Sequence, residues 1–149
     1  TNDRKHIAVI GSRGFANPGS VRAFVAELPK DTVVVSGAAR GVDTWAEEAA
    51  EAAGIATLIF HADWDGLGRR AGPIRNEQII AAADEVVAFW DGISRGTLNA
   101  VYLAIEKGIP VRVIDAGGRG VPIGTALEAA SALGVIDALM KARGKNADM

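Results

Sequence analysis

The feature that most constrains the fold is a repeated unit in which a short apolar strand runs into a glycine-rich turn and then a helix. The clearest copy is a strand over residues 32–36, a turn over 37–41 and an alanine-rich helix over 42–53. Continuously apolar strands that alternate with helices are typical of a parallel sheet covered on both faces. We therefore predict an α/β protein: a three-layer sandwich with a mostly parallel sheet of about five or more strands.

The other elements follow from the same pattern and from proline and glycine boundaries. We expect one domain over residues 1–149, with a core over 5–115 and a C-terminal helical extension over 121–143. Residues 61–72 are the longest irregular segment, residues 117–120 are a flexible turn, and the last helical region breaks at Gly134. The predicted strands are 5–11, 32–36, 55–60, 85–90 and 110–114, and the predicted helices begin near residues 17, 42, 73, 97 and 123.

Composition excludes several classes of site. The chain has no cysteine and only two histidines, far apart, so neither a disulfide nor a zinc site is expected. No motif indicates a cofactor. The net charge of −2 argues against a general coat of positive charge for nucleic acid, although a local patch is compatible with it. No apolar run has the length of a membrane helix, so the expected location is the cytoplasm.

The glycine-rich turns all follow strands, so they share the carboxyl edge of a parallel sheet, where ligands bind in such folds. Gly37 and Gly41 allow close approach of the backbone, and helix N-termini and arginines favour an anion. We therefore predict that a phosphate-bearing ligand binds at this edge. The candidate ligand-binding residues are Gly11, Ser12, Arg13, Ser36, Gly37, Ala39, Arg40, Gly41, Asp43, Arg75, Asn76, Ser94, Gly96 and Thr97.

A plainer interpretation stands beside each of these predictions. The turns could be architectural, and each arginine, Arg95 included, could be an ordinary surface charge or an ion-pair partner. Trp64 could stack on a base or anchor its loop by burial. Asp43 could cap a helix or orient Arg40 rather than act as a base. No catalytic residue is assigned.

Five motifs carry a resemblance to a known group of proteins. In chain order, the motifs are Ile10-Gly11-Ser12-Arg13, the stretch from Ser36 to Asp43, Ala62-Asp63-Trp64, Ala71 to Asn76, and Ser94-Arg95-Gly96-Thr97. With these motifs the chain resembles the SLOG superfamily of Rossmann-like nucleotide-binding proteins, and within it the YspA-like family, which is related to the LOG and DprA/Smf proteins. The resemblance implies a Rossmann-like sandwich that binds a nucleotide or a nucleotide derivative, such as a nucleoside phosphate or an ADP-ribose type ligand, as a sensor or binding module.

Two alternatives come with the resemblance. The LOG phosphoribohydrolases use an arginine, which Arg75 resembles in placement, and a glutamate after a glycine-rich turn. Here Asn99 follows that turn, so such a hydrolase would lack its usual carboxylate. DprA-like binding of single-stranded DNA is the other alternative, supported by the shared Ser36–Asp43 turn. We expect a nucleotide-type small molecule as partner, with nucleic acid ranked below it, no membrane, and a homo-oligomer left open.

Overall fold

The computed structural model describes residues 4–147, and side-chain environments up to residue 144. The elements in chain order are β1 (His6–Gly11), α1 (Pro18–Ala26), β2 (Val33–Ser36), α2 (Val42–Ala53), β3 (Ala56–Ile59), α3 (Trp64–Leu67), a 3-10 turn (Gly68–Arg70), α4 (Ala71–Ala82), β4 (Glu85–Phe89), α5 (Arg95–Glu106), β5 (Val111–Ile114), β6 (Gly120–Val121), α6 (Ile123–Ala132) and α7 (Val135–Ala147).

The strands form one six-stranded sheet in the order β3-β2-β1-β4-β5-β6. The first five strands are parallel, and β6 is antiparallel to β5. The central strand is β1, in which Ala8 lies opposite Val35 of β2 and Val86 of β4. The chain reverses its direction of winding at β1, so the crevice at its carboxyl end is the expected ligand position in such a sheet. The predicted α/β sandwich is confirmed.

Side chains that alternate along each strand fill a core on each face. Val34 packs with α1 and α2 on one face, whereas the next residue, Val35, packs with α4 and α5 on the other. The second core also contains Ala126 of α6 and Leu139 of α7. Both C-terminal helices therefore pack against α5, and α6 also contacts β5 directly.

Residues 61–72 are more regular than predicted. Asp63 caps α3 by accepting a hydrogen bond from the Gly66 N–H at 3.0 Å, and the 3-10 turn then leads directly into α4. Helix α4 begins at Ala71, before Pro73. Proline is tolerated there because the first N–H groups of a helix have no partner inside it.

The segment after β5 also differs from the prediction. The turn at residues 117–120 includes the start of β6, which pairs Val121 with Val113. The predicted break at Gly134 is confirmed, with a φ of +75° between α6 and α7. Helix α7 continues to Ala147, and residues 148–149 of the predicted polar tail lie outside the described residues. The division into a core and a helical extension stays a prediction.

No helix among residues 4–147 is by itself long and apolar enough to cross a membrane; α6 with Val135–Gly144 reaches that length and composition only as a pair bent by 65°. Within the same residues, no three His, Asp or Glu side chains are placed to hold a metal ion.

Candidate functional site

Two adjoining clefts open along the carboxyl edge of the sheet, with volumes of about 590 Å³ and 540 Å³. The first cleft lies between the turns after β1 and β4 and helices α4, α5 and α7. The second cleft lies beside the turn after β2 and the start of the segment after β3. The two clefts share four lining residues: Arg13, Ala39, Trp64 and Arg75. A ligand larger than one nucleotide can therefore contact both.

The turn after β2 is held from below by two carboxylates of α2. The Ser36 hydroxyl and the Ala38 N–H both donate to Oε2 of Glu47. The Ala39 N–H donates to Oδ2 of Asp43 at 3.1 Å. These bonds hold Ala38 at a φ of +59°, which non-glycine residues rarely adopt. The turn is thus rigid before any ligand arrives.

Arg75 of α4 crosses under the same turn. Its Nη1 donates to the Gly37 carbonyl at 3.3 Å, and a Cβ on Gly37 would lie 2.9 Å from Arg75 Cδ. Among the described residues, no acceptor pairs with the buried Arg75 Nε. Burial lowers the pKa of Arg75, and the nearby Asp43 carboxylate opposes that shift. Gly37 is therefore required for space, and Arg75 retains an unpaired donor.

Asp43 is buried in the first turn of α2. Burial raises its pKa to about 6, against the opposing effects of the Ala39 N–H and the positive charge of Arg75. Its neighbour Glu47 raises it further. Asp43 therefore exchanges its proton near neutral pH rather than in the acidic range of an exposed aspartate.

The turns after β1 and β4 are tied to each other by hydroxyl groups. Ser12 Oγ accepts from the Asp91 N–H at 3.1 Å and lies 3.3 Å from Thr97 Oγ1. The Thr97 hydroxyl in turn donates to Ser94 Oγ, which caps α5. These hydroxyls are consequently engaged within the protein.

The structure brings most of the predicted site residues to the clefts, and whether they bind a ligand stays a prediction. Three of them line neither cleft: Ser12 and Ser36 are buried and hydrogen-bonded, and Gly41 packs on the backbone of Arg13. The second cleft adds Gly37 and Arg40. The first cleft includes Gly11, Arg13, Ala39, Asp43, Arg75, Asn76, Ser94, Gly96 and Thr97.

The charges on the two clefts differ. The second cleft is lined by Arg13, Arg40, Arg75 and His61, and no carboxylate is among its described lining residues. The first cleft opposes its arginines with Asp43 and Asp91. Within the part of the chain that the structure describes, Arg13, Arg40, Arg75 and Arg95 form no ion pair. Positive charge is therefore concentrated and available at the second cleft.

Trp64 stands where the clefts meet. The end of its ring lies over Gly72, where an added Cβ would be 3.3 Å away, and the side chain remains 49% exposed. This contact anchors one end of the ring and leaves a large aromatic surface in solvent.

The sequence did not single out several residues of the site. Glu47 is detectable as an acid four residues after Asp43, on the same side of the helix start. Val135 and Ala138 of α7 line the first cleft, and nothing in their sequence distinguishes them from ordinary core residues.

Comparisons with known proteins show which class of protein the fold belongs to. Residues 1–66 match the family model of DNA recombination-mediator protein A. The solved structure of DNA processing protein A (DprA) from Streptococcus pneumoniae superposes with a TM-score of 0.67 at 25% identity, over 76% of this chain and 51% of that one. The protein therefore has a DprA-related Rossmann-like fold and spans about half the length of that DprA chain.

The family of the chain is shown by its sequence similarity to a phage protein. The gene 61 protein of Mycobacterium phage D29 is 36% identical over 117 residues, which cover 72% of this chain and 94% of the phage protein. The chain belongs to the same family as that gene 61 protein.

These matches correct the expected partner. Both DprA descriptions concern DNA, so the expectation of a nucleotide-type small molecule, with nucleic acid ranked below it, is wrong. The expectation counted the net charge of −2 against nucleic acid, but net charge averages over the whole surface and does not describe local charge such as that of the second cleft. The resemblance to DprA is confirmed.

Proposed function

We propose that this protein binds single-stranded DNA along the two clefts. The observation that carries the proposal is the second cleft, where Arg13, Arg40, Arg75 and His61 meet without an opposing carboxylate among the described lining residues. Clustered arginines neutralise backbone phosphates and release counterions, which is the main source of nucleic-acid affinity.

Trp64 favours a single strand over a duplex. Its ring is half exposed between the clefts, within reach of the arginines that would hold the backbone. Proteins that bind single strands combine a positive groove with aromatic side chains on which unstacked bases lie. In a duplex those base faces are already stacked on their neighbours.

Arg40 is an exposed cation in the turn after β2. It lines the second cleft and forms no ion pair within the part of the chain that the structure describes. The backbone phosphates are therefore expected at the second cleft, next to Arg40.

By the same likeness to DprA, we propose a role in DNA processing or recombination. The finer placement in the YspA-like branch of the SLOG superfamily is also our proposal. It is supported by the Ala62-Asp63-Trp64 and Gly72-Pro73-Ile74-Arg75-Asn76 motifs, which contribute Trp64, Arg75 and Asn76 to the clefts.

Fluorescence anisotropy with a labelled single strand and a hairpin duplex of equal charge tests the proposed function. We expect tighter binding of the single strand, with a logarithmic affinity that falls linearly with the logarithm of the salt concentration. Trp64→Ala should weaken binding by about 5- to 100-fold, and Trp64→Phe should restore most of it. Leu133→Ala, an exposed apolar residue outside both clefts, serves as the control. Equal affinity for the duplex, or binding that salt does not weaken, contradicts the proposal.

A further inference from the structure

We propose that the first cleft takes one unstacked nucleobase of the bound strand and that Asn76 and Asn99 hydrogen-bond to the edge of that base. This inference rests on the proposed function and names the chemical group that enters the first cleft.

The orientation of the Asn76 amide is set by the backbone. Asn76 is 8% exposed, and its Nδ2 donates to the Gly96 carbonyl at 3.3 Å and to Asn99 Oδ1 at 2.9 Å. A carbonyl oxygen can only accept, so the nitrogen of Asn76 must face Gly96. Asn99 must then present its oxygen to Asn76. Both amides are thereby held in one orientation.

This arrangement leaves an acceptor and a donor unused on one wall of the cleft. Among residues 4–147, no group donates to Oδ1 of Asn76 and no group accepts from Nδ2 of Asn99. Among the described residues, Asn76 Oδ1 is not one of the side-chain atoms that are both buried and unpaired, so a ligand in the cleft can reach it with a donor. Nucleobase edges present a donor beside an acceptor, which is the complementary pattern.

The remaining walls suit a flat apolar ring. They include Ile79 of α4, Ala100 of α5, and Val135 and Ala138 of α7. The volume of about 590 Å³ lies within the usual range for sites that enclose a small organic group. Trp64 lines both clefts and therefore lies between the expected position of the phosphates and that of the base.

The first cleft is less suited to a phosphate than the second. Asp43 and Asp91 offset the charges of its three arginines, Arg13, Arg75 and Arg95, and the free atom of Asn76 is an oxygen that repels an anion. In the second cleft the arginines face no carboxylate among the described lining residues. The base and the phosphates of one nucleotide unit are thus expected on different sides of Trp64.

The test uses the full chain and a single strand that contains 2-aminopurine, which fluoresces more strongly when it is unstacked. Ala138→Trp fills the cleft from α7, at an exposed position whose replacement leaves the core intact. Met140→Trp places the same side chain on the same helix outside the clefts and is the matched control. We expect binding to raise the fluorescence several-fold with the unmodified protein and with Met140→Trp, and no increase with Ala138→Trp.

A second measurement compares the base-bearing strand with an abasic strand of equal length and charge. Asn99→Ala should reduce affinity for the base-bearing strand by about 3- to 10-fold and leave affinity for the abasic strand unchanged. A free nucleoside monophosphate should compete far more weakly than the strand, because it lacks the neighbouring phosphates at the second cleft.

The outcomes separate this inference from the proposed function. Salt-sensitive binding of single strands that neither Ala138→Trp nor Asn99→Ala alters would overturn the base site alone. Failure of every strand to bind would overturn the proposed function as well.

Discussion

The turns after β2 and β4 look alike in sequence and differ in structure. Each follows an apolar strand and leads into a helix of 12 residues; Gly37 and Gly41 precede α2, whereas Gly92 precedes α5 and Gly96 lies in its first turn. After β4, Asp91 accepts from the N–H groups of Ile93 and Ser94, and Ser94 then caps α5. After β2, the carboxylates that hold the turn come from inside the following helix, and no side chain caps that helix.

The glycines of the two turns differ in the same way. A Cβ at Gly41 would lie 2.8 Å from the carbonyl oxygen of Arg13, and one at Gly37 would meet Arg75. A Cβ at Gly92 or Gly96 would meet nothing within 4 Å. The N–H groups of the β4 turn therefore find acceptors nearby, and glycine is required there at most for its backbone conformation. The β2 turn packs against Arg75 and α2 on one side and lines the second cleft on the other, as expected of a surface that receives a ligand.

The largest predicted effect separates the two turns by stability. Gly41→Ala should lower the free energy of unfolding by about 3–5 kcal/mol, because a positive φ and a clash with backbone add together. Gly92→Ala has a positive φ of 90° but open space, so about 1–2 kcal/mol is expected. Urea unfolding of both variants measures the difference. Equal losses of unfolding free energy in the two variants would show that the positive φ, and not the contact with Arg13, sets the requirement for glycine.

The next prediction concerns the carboxylate under the β2 turn. Burial raises the pKa of Asp43 from 3.8 to about 6, so the folded state holds this proton more tightly than the unfolded chain does. The resulting stabilisation is complete below about pH 4 and is lost as the pH rises to about 6, a change of about 3 kcal/mol. Asp43→Asn keeps an acceptor for Ala39 and should remove this change.

Urea unfolding of Asp43→Asn and of the unmodified protein between about pH 4 and pH 7 checks this dependence. Other groups titrate in both proteins and cancel in the comparison. Asp65→Asn, at an exposed position of α3, is the control and should retain the full pH dependence. Parallel stability curves for Asp43→Asn and the unmodified protein would contradict the raised pKa.

A smaller effect is expected in binding. Arg40→Ala removes an exposed charge of the second cleft, and affinity for single strands of any sequence should fall by about 1–2 kcal/mol. The slope of logarithmic affinity against logarithmic salt concentration should flatten by about 0.7. Arg22→Ala, an exposed arginine of α1 outside both clefts, should change neither quantity. An unchanged salt slope for Arg40→Ala would remove Arg40 from the phosphate path.

The smallest effect belongs to the β4 turn. Ser94→Ala removes the cap of α5 and should cost about 1 kcal/mol of unfolding free energy. Affinity for single strands should change little, since the Ser94 hydroxyl is engaged with Thr97. Thermal melting and anisotropy on the same sample measure both. If Ser94→Ala lowered the free energy of binding by more than the free energy of unfolding, the β4 turn would contribute to binding as the β2 turn is expected to do.

Much of the fold was predictable because its signals are local. Apolar strands with glycine ends and alanine-rich helices predicted α2 with its observed bounds. Strand β6 was missed, because two residues, Gly120 and Val121, carry no periodicity and depend on pairing with β5. The position of the site was predictable for a similar reason, since parallel topology alone brings the turns to one edge.

The roles of single residues at the site were less predictable because they depend on distant contacts. Gly37 is required by Arg75, 38 residues further along the chain. Ser12 and Thr97 look like exposed hydroxyl ligands in sequence, but they are buried against each other. The partner was misjudged because net charge says nothing about how charges are distributed over the surface.

The position of β1 at the centre of the sheet has a consequence for the order of folding. Strand β1 lies between β2 and β4, and β4 is synthesised much later than β1. The contacts that join this later part of the chain to β1 are long-range: the His6 N–H donates to Asp84, 78 residues away, and the hydroxyls of Ser12 and Thr97 meet across 85 residues. Contacts over such separations close large loops and form slowly. A nascent chain that ends before β4 holds the arginines of the second cleft but has no strand to complete the sheet. We therefore expect the proposed binding of DNA to become possible late in folding, after β1 has paired with β4.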